Sequence, residues 1–86
     1  MNQDLESVVK KIISEQLDLD FAGIRNEMQF AKDLKADSLD AVAILISLEE
    51  AFGVELSDED SLKIKTVQNA IDIFTQYNLG SKQITL

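Results

Sequence analysis

Residues 36–53 read ADSLDAVAILISLEEAFG. From Ser38 to Phe52 this is the most apolar helix-like run in the chain, and Gly53 behind it suits a left-handed cap. At about 100° per residue, Ile44, Leu45, Leu48 and Phe52 cluster within roughly 100° and supply an ordinary core face. Leu39, Val42 and Ile46 cluster within about 60° on the other side, with Glu49 and Glu50 at its two edges. A surface helix of a small bundle normally buries one stripe. Either this helix is central and touches neighbours on several sides, or the second stripe is an exposed docking patch with a charged rim. Its closeness to Ser38 favours docking.

Ser38 stands between Asp37 and Asp40 in a chain with no histidine and no cysteine. A nucleophilic serine needs a base to take its proton, and neighbouring carboxylates oppose the developing alkoxide. Ser38 is therefore badly placed to perform chemistry and better placed to receive it. Serine also favours the N-cap of a helix, as does aspartate. Either Ser38 caps the helix, or Asp37 caps it and leaves Ser38 pointing outward. In the second case a phosphate ester on Ser38 would sit at the positive end of the helix dipole. Asp37 and Asp40 would oppose it through a like-charge term that solvent and salt screen.

Outward from this helix the chain reads as helical throughout. Leu5, Val8, Val9, Ile12, Ile13 and Leu17 fall at helical spacing and predict a first amphipathic helix of about four turns. Residues 18–36 have no sustained period and read as a long loop with a short helical turn, anchored by Phe21, Ile24, Met28, Phe30 and Leu34. SDED at 57–60 matches a capping box and predicts a short third helix. Thr66 is placed to cap a fourth, with Val67, Ala70, Ile71, Phe74 and Tyr77 on one stripe and an end near Gly80. The remaining SKQITL reads as a frayed tail. No strand is favoured, and the pieces make a small helical bundle.

Composition bounds what such a bundle can do. The 86 residues suffice for one small domain, and with 45% hydrophobic but only 6% aromatic residues its core must be aliphatic. Lack of cysteine excludes a disulfide scaffold and a thiolate metal site. No apolar run approaches the ~20 residues of a membrane span, and MNQDLESVV lacks the basic-then-apolar order of a signal peptide. A cytoplasmic protein is the expectation. Net charge is −8, which opposes nucleic-acid binding. Residues 33–60 hold nine acids against Lys35 alone, whereas residues 61–86 carry a net +2. This field around Ser38 is either a solvated surface or a means of steering basic partners.

The stretch FAKDLKADSLDAVAILISLEEAFGVELSDED (30–60), followed by KIKTVQNAIDIF (63–74), resembles the acyl carrier proteins. DSLD at 37–40, in register with LEEAFGVE at 48–55 and TVQNAID at 66–72, carries the likeness, and VKKIISEQL at 9–17 matches the first helix. The resemblance runs from Leu5 to Tyr77. It implies an all-α, four-helix bundle of the acyl-carrier type, with a long loop between helices 1 and 2 and a short third helix. Residues 1–80 would form a single acyl-carrier domain and 81–86 a flexible C-terminal tail.

The resemblance further implies that Ser38 carries 4′-phosphopantetheine through a phosphodiester. A separate phosphopantetheinyl transferase, using coenzyme A and Mg²⁺, would install the group, which accounts for the missing base and the missing cysteine. The chain would then be a monomeric, non-catalytic carrier that holds growing acyl chains as thioesters and delivers them to fatty-acid synthesis enzymes. Basic docking patches on those enzymes would meet Asp37, Leu39, Asp40, Val42, Ile46, Glu49 and Glu50. In the family the acyl chain slips between the helices, and Ile44, Leu45, Leu48, Ile64 and Ile71 are the residues expected to part for it.

Three positions depart from the family pattern: Lys35 where glycine usually precedes the ADSLD run, Ala43 where an acid is frequent, and Ser57 where proline is common. They leave open a specialised carrier for a dedicated lipid or polyketide pathway. Two rivals from other classes are weaker. DLDFAG at 18–23 begins like a calcium loop, but Ala22 and Gln29 stand where an oxygen ligand and a bidentate glutamate are required. A generic helical adaptor, with Ser38 a mere cap, would take up no pantetheine.

Overall fold

Apolar residues at three- and four-residue intervals make α1 (Leu5–Leu17) amphipathic, and it buries Val9 and Ile13 completely. This is seen in a computed structural model that describes the backbone of residues 5–84 and the side chains of residues 5–78. α1 packs against both α2 (Ser38–Phe52) and α4 (Val67–Ile84), while α3 (Asp58–Leu62) is a single short turn between them in sequence. All of the described elements are helical.

The core is aliphatic with an aromatic centre. Ile44 and Leu48 of α2 meet Val9 and Ile13 of α1 and Val67, Ala70, Ile71 and Phe74 of α4 in one buried cluster. Phe74 is fully buried, and its ring centre lies 5.7 Å from that of Phe52, tilted by 38°, a favourable aromatic geometry. Gly53 closes α2 at φ 67°, in the left-handed region where a β-carbon is penalised. The core face expected of α2 is thus the one buried, with Leu45 and Phe52 packed at its margin.

The connection from α1 to α2 leaves the helix through Asp18 at φ 58° and makes one 3₁₀ turn at Phe21–Gly23. Ile24, Phe30, Leu34 and Ala36 are buried and Met28 is half-buried, so most of the expected anchors hold. Phe21 does not. It is 45% exposed, because the turn faces solvent and Ile24 takes the inward position after it.

Backbone pairing fixes this connection as firmly as its apolar anchors. The Phe30 N–H donates to the Lys65 carbonyl (3.0 Å), the Val67 N–H to Met28 (3.0 Å) and the Gln68 N–H to Asn26 (2.8 Å). Gln29 and Thr66 form an isolated antiparallel bridge, and the Asn26 amide donates to Gln68 Oε1 at 2.9 Å. These bonds satisfy backbone groups that a loop lying on the core would otherwise leave unpaired.

Both later caps form, with one change of partner. At α4, Thr66 Oγ1 accepts the Asn69 N–H and Asn69 Oδ1 accepts the Thr66 N–H, a reciprocal cap. At α3, Ser57 Oγ accepts the Asp60 N–H as expected, but Asp60 does not close the capping box. The Ser57 N–H donates instead to Tyr77 Oη, and that hydroxyl donates to Asp60 Oδ2. α4 continues to Ile84, past the end expected near Gly80, since glycine inside a helix costs only about 1 kcal/mol. Thr85 and Leu86 of the expected tail lie outside the described residues.

α3 buries no residue, so polar contacts hold it in place. The Tyr77 hydroxyl, followed by Lys63, keeps the Asp60 carboxyl below its ordinary range. A depressed carboxyl contributes stability above its unfolded pKa and loses it as pH falls through the folded value. Tyr77→Phe is therefore expected to lower the urea midpoint at neutral pH. That loss should shrink on acidification from about pH 5 to about pH 2, as Asp60 protonates in both proteins.

Candidate functional site

The start of α2 is organised by two carboxylates. Asp37, extended at φ −83° and ψ −177°, is the N-cap, and its Oδ1 accepts the Asp40 N–H at 2.9 Å. Asp40 Oδ2 reaches back toward the Asp37 N–H at 3.4 Å, completing a capping box built from two aspartates. The choice between Asp37 and Ser38 as cap is thereby decided. Ser38 occupies the first helical position, exposed to solvent, and the capping bonds do not involve its hydroxyl.

The chain enters this helix by a tight path. Leu34 and Ala36 are both buried, and the Ala36 N–H donates to the Phe30 carbonyl at 2.8 Å. Lys35 lies between them with its side chain outward and its backbone at φ 59°. A side chain is strained there and glycine is not, a physical reason for the glycine that the resemblance leads one to expect at this position.

The second apolar stripe of α2 is open to solvent. Leu39 is 79% exposed, Val42 52% and Ile46 49%. Asp37 and Glu50 are exposed and Asp40 is half-buried. Glu50 lies on the side facing α1, where it lines a cleft of about 430 Å³ with Glu15, Gln16 and Ser47. Glu49 is different. Its carboxylate accepts the Leu56 N–H at 2.8 Å and ties α2 to the segment before α3, so its charge is partly used within the chain.

A groove of about 410 Å³ begins at Ser38, with Phe30, Ala36, Ala41 and Ile64 among its apolar walls and Gln29, Asp37 and Lys65 among its polar ones. Phe30, Ala41 and Ile64 also line a small apolar hole of about 40 Å³, completed by Ile44 and Leu45. Of the residues expected to part for an acyl chain, Ile44, Leu45 and Ile64 thus meet at one opening. Leu48 and Ile71 are buried elsewhere in the core. The sequence reading missed Phe30, Ala41, Gln29 and Lys65 as groove residues. Phe30 alone had a signal, as a loop anchor. Among the described residues no group of three or more acids is placed to hold a metal ion, and no helix is long and apolar enough to cross a membrane.

Residues 7–74 match the family described as the phosphopantetheine attachment site. A solved acyl carrier protein from Enterococcus faecalis is similar over 85% of this chain and 92% of its own, with 36% identity and a TM-score of 0.72. The chain belongs to the acyl carrier protein family.

The cofactor of an acyl carrier protein of this kind is covalent 4′-phosphopantetheine, and the site accommodates it. An exposed hydroxyl outside the capping bonds lines a groove with both polar and apolar walls, which suits an arm of amides and short hydrocarbon segments. The left-handed Lys35 is the strained point of the entry path. Lys35→Gly is expected to stabilise the fold by about 0.5–1 kcal/mol, the relief of left-handed strain less the greater chain entropy of glycine. Urea denaturation monitored by circular dichroism measures it.

Proposed function

We propose that the chain tethers growing acyl chains on a 4′-phosphopantetheine arm at Ser38 and delivers them to fatty-acid synthesis enzymes. The observation that carries this reading is the exposed Ser38 hydroxyl, left outside the Asp37–Asp40 capping box at the mouth of a groove leading to the core. When bound, the group supplies a terminal thiol that holds the acyl chain as a thioester. The protein's own part is to hold, present and shield.

Asp37 and Asp40 hold the helix start so that Ser38 faces an incoming transferase. Leu39, Val42 and Ile46 form an apolar docking patch, with Asp37, Asp40 and Glu50 supplying the charge that basic partner surfaces meet. Glu49 is the weakest of the docking residues, given its bond to Leu56. Patches of this kind favour fast encounter and release. The hole of about 40 Å³ behind Ile64 holds little more than a water's volume, so α2 and the segment 63–65 must separate before acyl carbons enter. An aliphatic core, packed by dispersion and burial, has no hydrogen bonds of its own to break in doing so.

Incubation with coenzyme A, Mg²⁺ and a phosphopantetheinyl transferase is expected to give one covalent addition by mass spectrometry. Ser38→Ala should abolish it while the helical circular dichroism persists; an addition that survives the substitution refutes the assignment. For the docking face, Ile46→Ala should reduce turnover by a partner enzyme far more than it lowers the urea midpoint. Glu49→Lys should lower both.

A further inference from the structure

The groove beside Ser38 contains one cation among its lining residues, Lys65, in a protein of net charge −8. Its backbone is pinned on both sides: the carbonyl accepts the Phe30 N–H at 3.0 Å, and the N–H donates to Asn69 Oδ1 at 3.0 Å. The side chain is exposed and takes part in none of the ion pairs formed among the described residues, whereas Lys63, two residues earlier, pairs with Asp60 at 3.4 Å. Lys65 is therefore a cation on a fixed base, lining a cleft whose other charged lining residue is Asp37.

A phosphodiester on Ser38 would add a negative charge beside Asp37 and Asp40. The helix dipole offsets part of this repulsion, and an ammonium across the groove offsets more. We infer that Lys65 is a positioning residue for the prosthetic arm: its ammonium attracts the phosphodiester oxygens and lays the first part of the arm along the groove toward Ile64 and the apolar hole. The inference rests on Ser38 as the attachment point. Lysine suits the task as a mobile point charge on a flexible stem, which holds the arm in the groove without locking it there. A shuttle must be able to release its arm to a partner, and a partner's basic surface competes directly for the same phosphate.

The test uses the holo protein, prepared with coenzyme A and a phosphopantetheinyl transferase and followed by ³¹P NMR. Lys65→Met should move the phosphodiester resonance and its transverse relaxation toward those of the urea-unfolded holo protein. Lys65→Arg should keep the native values, and Lys63→Met should change neither. In the unaltered protein, salt that shortens the Debye length from about 30 Å at 0.01 M to about 3 Å at 1 M should reproduce the Lys65→Met shift. A Lys65→Met spectrum identical to the native one, with no salt response, overturns the positioning role while leaving Ser38 loaded. A protein that gains no pantetheine mass on Ser38 overturns the attachment reading and this inference together, and mass spectrometry tells the two failures apart.

Discussion

The reciprocal hydrogen bonds between Asp37 and Asp40 set the direction of everything at the top of α2. A helix start has free N–H groups that some side chain or water must satisfy, and a serine here would ordinarily turn its hydroxyl back to do so. With Asp37 extended and its carboxylate on the Asp40 N–H, that demand is met one residue earlier and the Ser38 hydroxyl is released. A single cap contributes only about 1 kcal/mol, a small share of a domain's stability. Its structural consequence is larger than its energy, because it determines which oxygen faces solvent.

The cap in turn needs a chain that arrives from the right side. Burial of Leu34 and Ala36 on either side of a left-handed Lys35 forces a sharp entry into α2, and the pairing of Phe30 with Lys65 holds that entry against the start of α4. The same pairing builds the groove, since it brings Gln29, Phe30 and Lys65 to face Ser38 and Ala41. One set of backbone bonds thus positions both the serine and the wall opposite it.

Two kinds of contact divide the labour in this bundle. Helices α1, α2 and α4 are joined by buried aliphatic side chains and Phe74, which resist unfolding but yield to small displacements. α3 buries nothing and is held by Tyr77, by the Ser57 cap and through Glu49 by the segment before it. Directional bonds thus lie at the periphery and non-directional burial inside, where Phe30, Ala41, Ile44, Leu45 and Ile64 leave a small apolar hole. Charge is divided too, with nine acids against Lys35 alone over residues 33–60, and Asp37 and Lys65 as the charged residues lining the groove at Ser38.

Much of this was readable from residue order because it depends on near neighbours. The span of α2, its left-handed Gly53, its core face and the Ser57 and Thr66 caps all follow from patterns within a few residues, where helix geometry fixes which side chains share a face. That the Leu39, Val42 and Ile46 stripe faces solvent was one of two readings, and the packing decided it. Phe21 facing solvent, Glu49 bonded to Leu56, Tyr77 replacing the second half of a capping box and Lys65 lining the groove were not readable. Tyr77 and Lys65 meet segments far along the chain, Glu49 meets backbone beyond the helix end at Gly53, and Phe21 follows the outward turn of a loop; no helical period encodes any of these. Asp37 and Ser38 lay between the two cases: sequence narrowed the cap to a choice, and the backbone conformation at Asp37 made it.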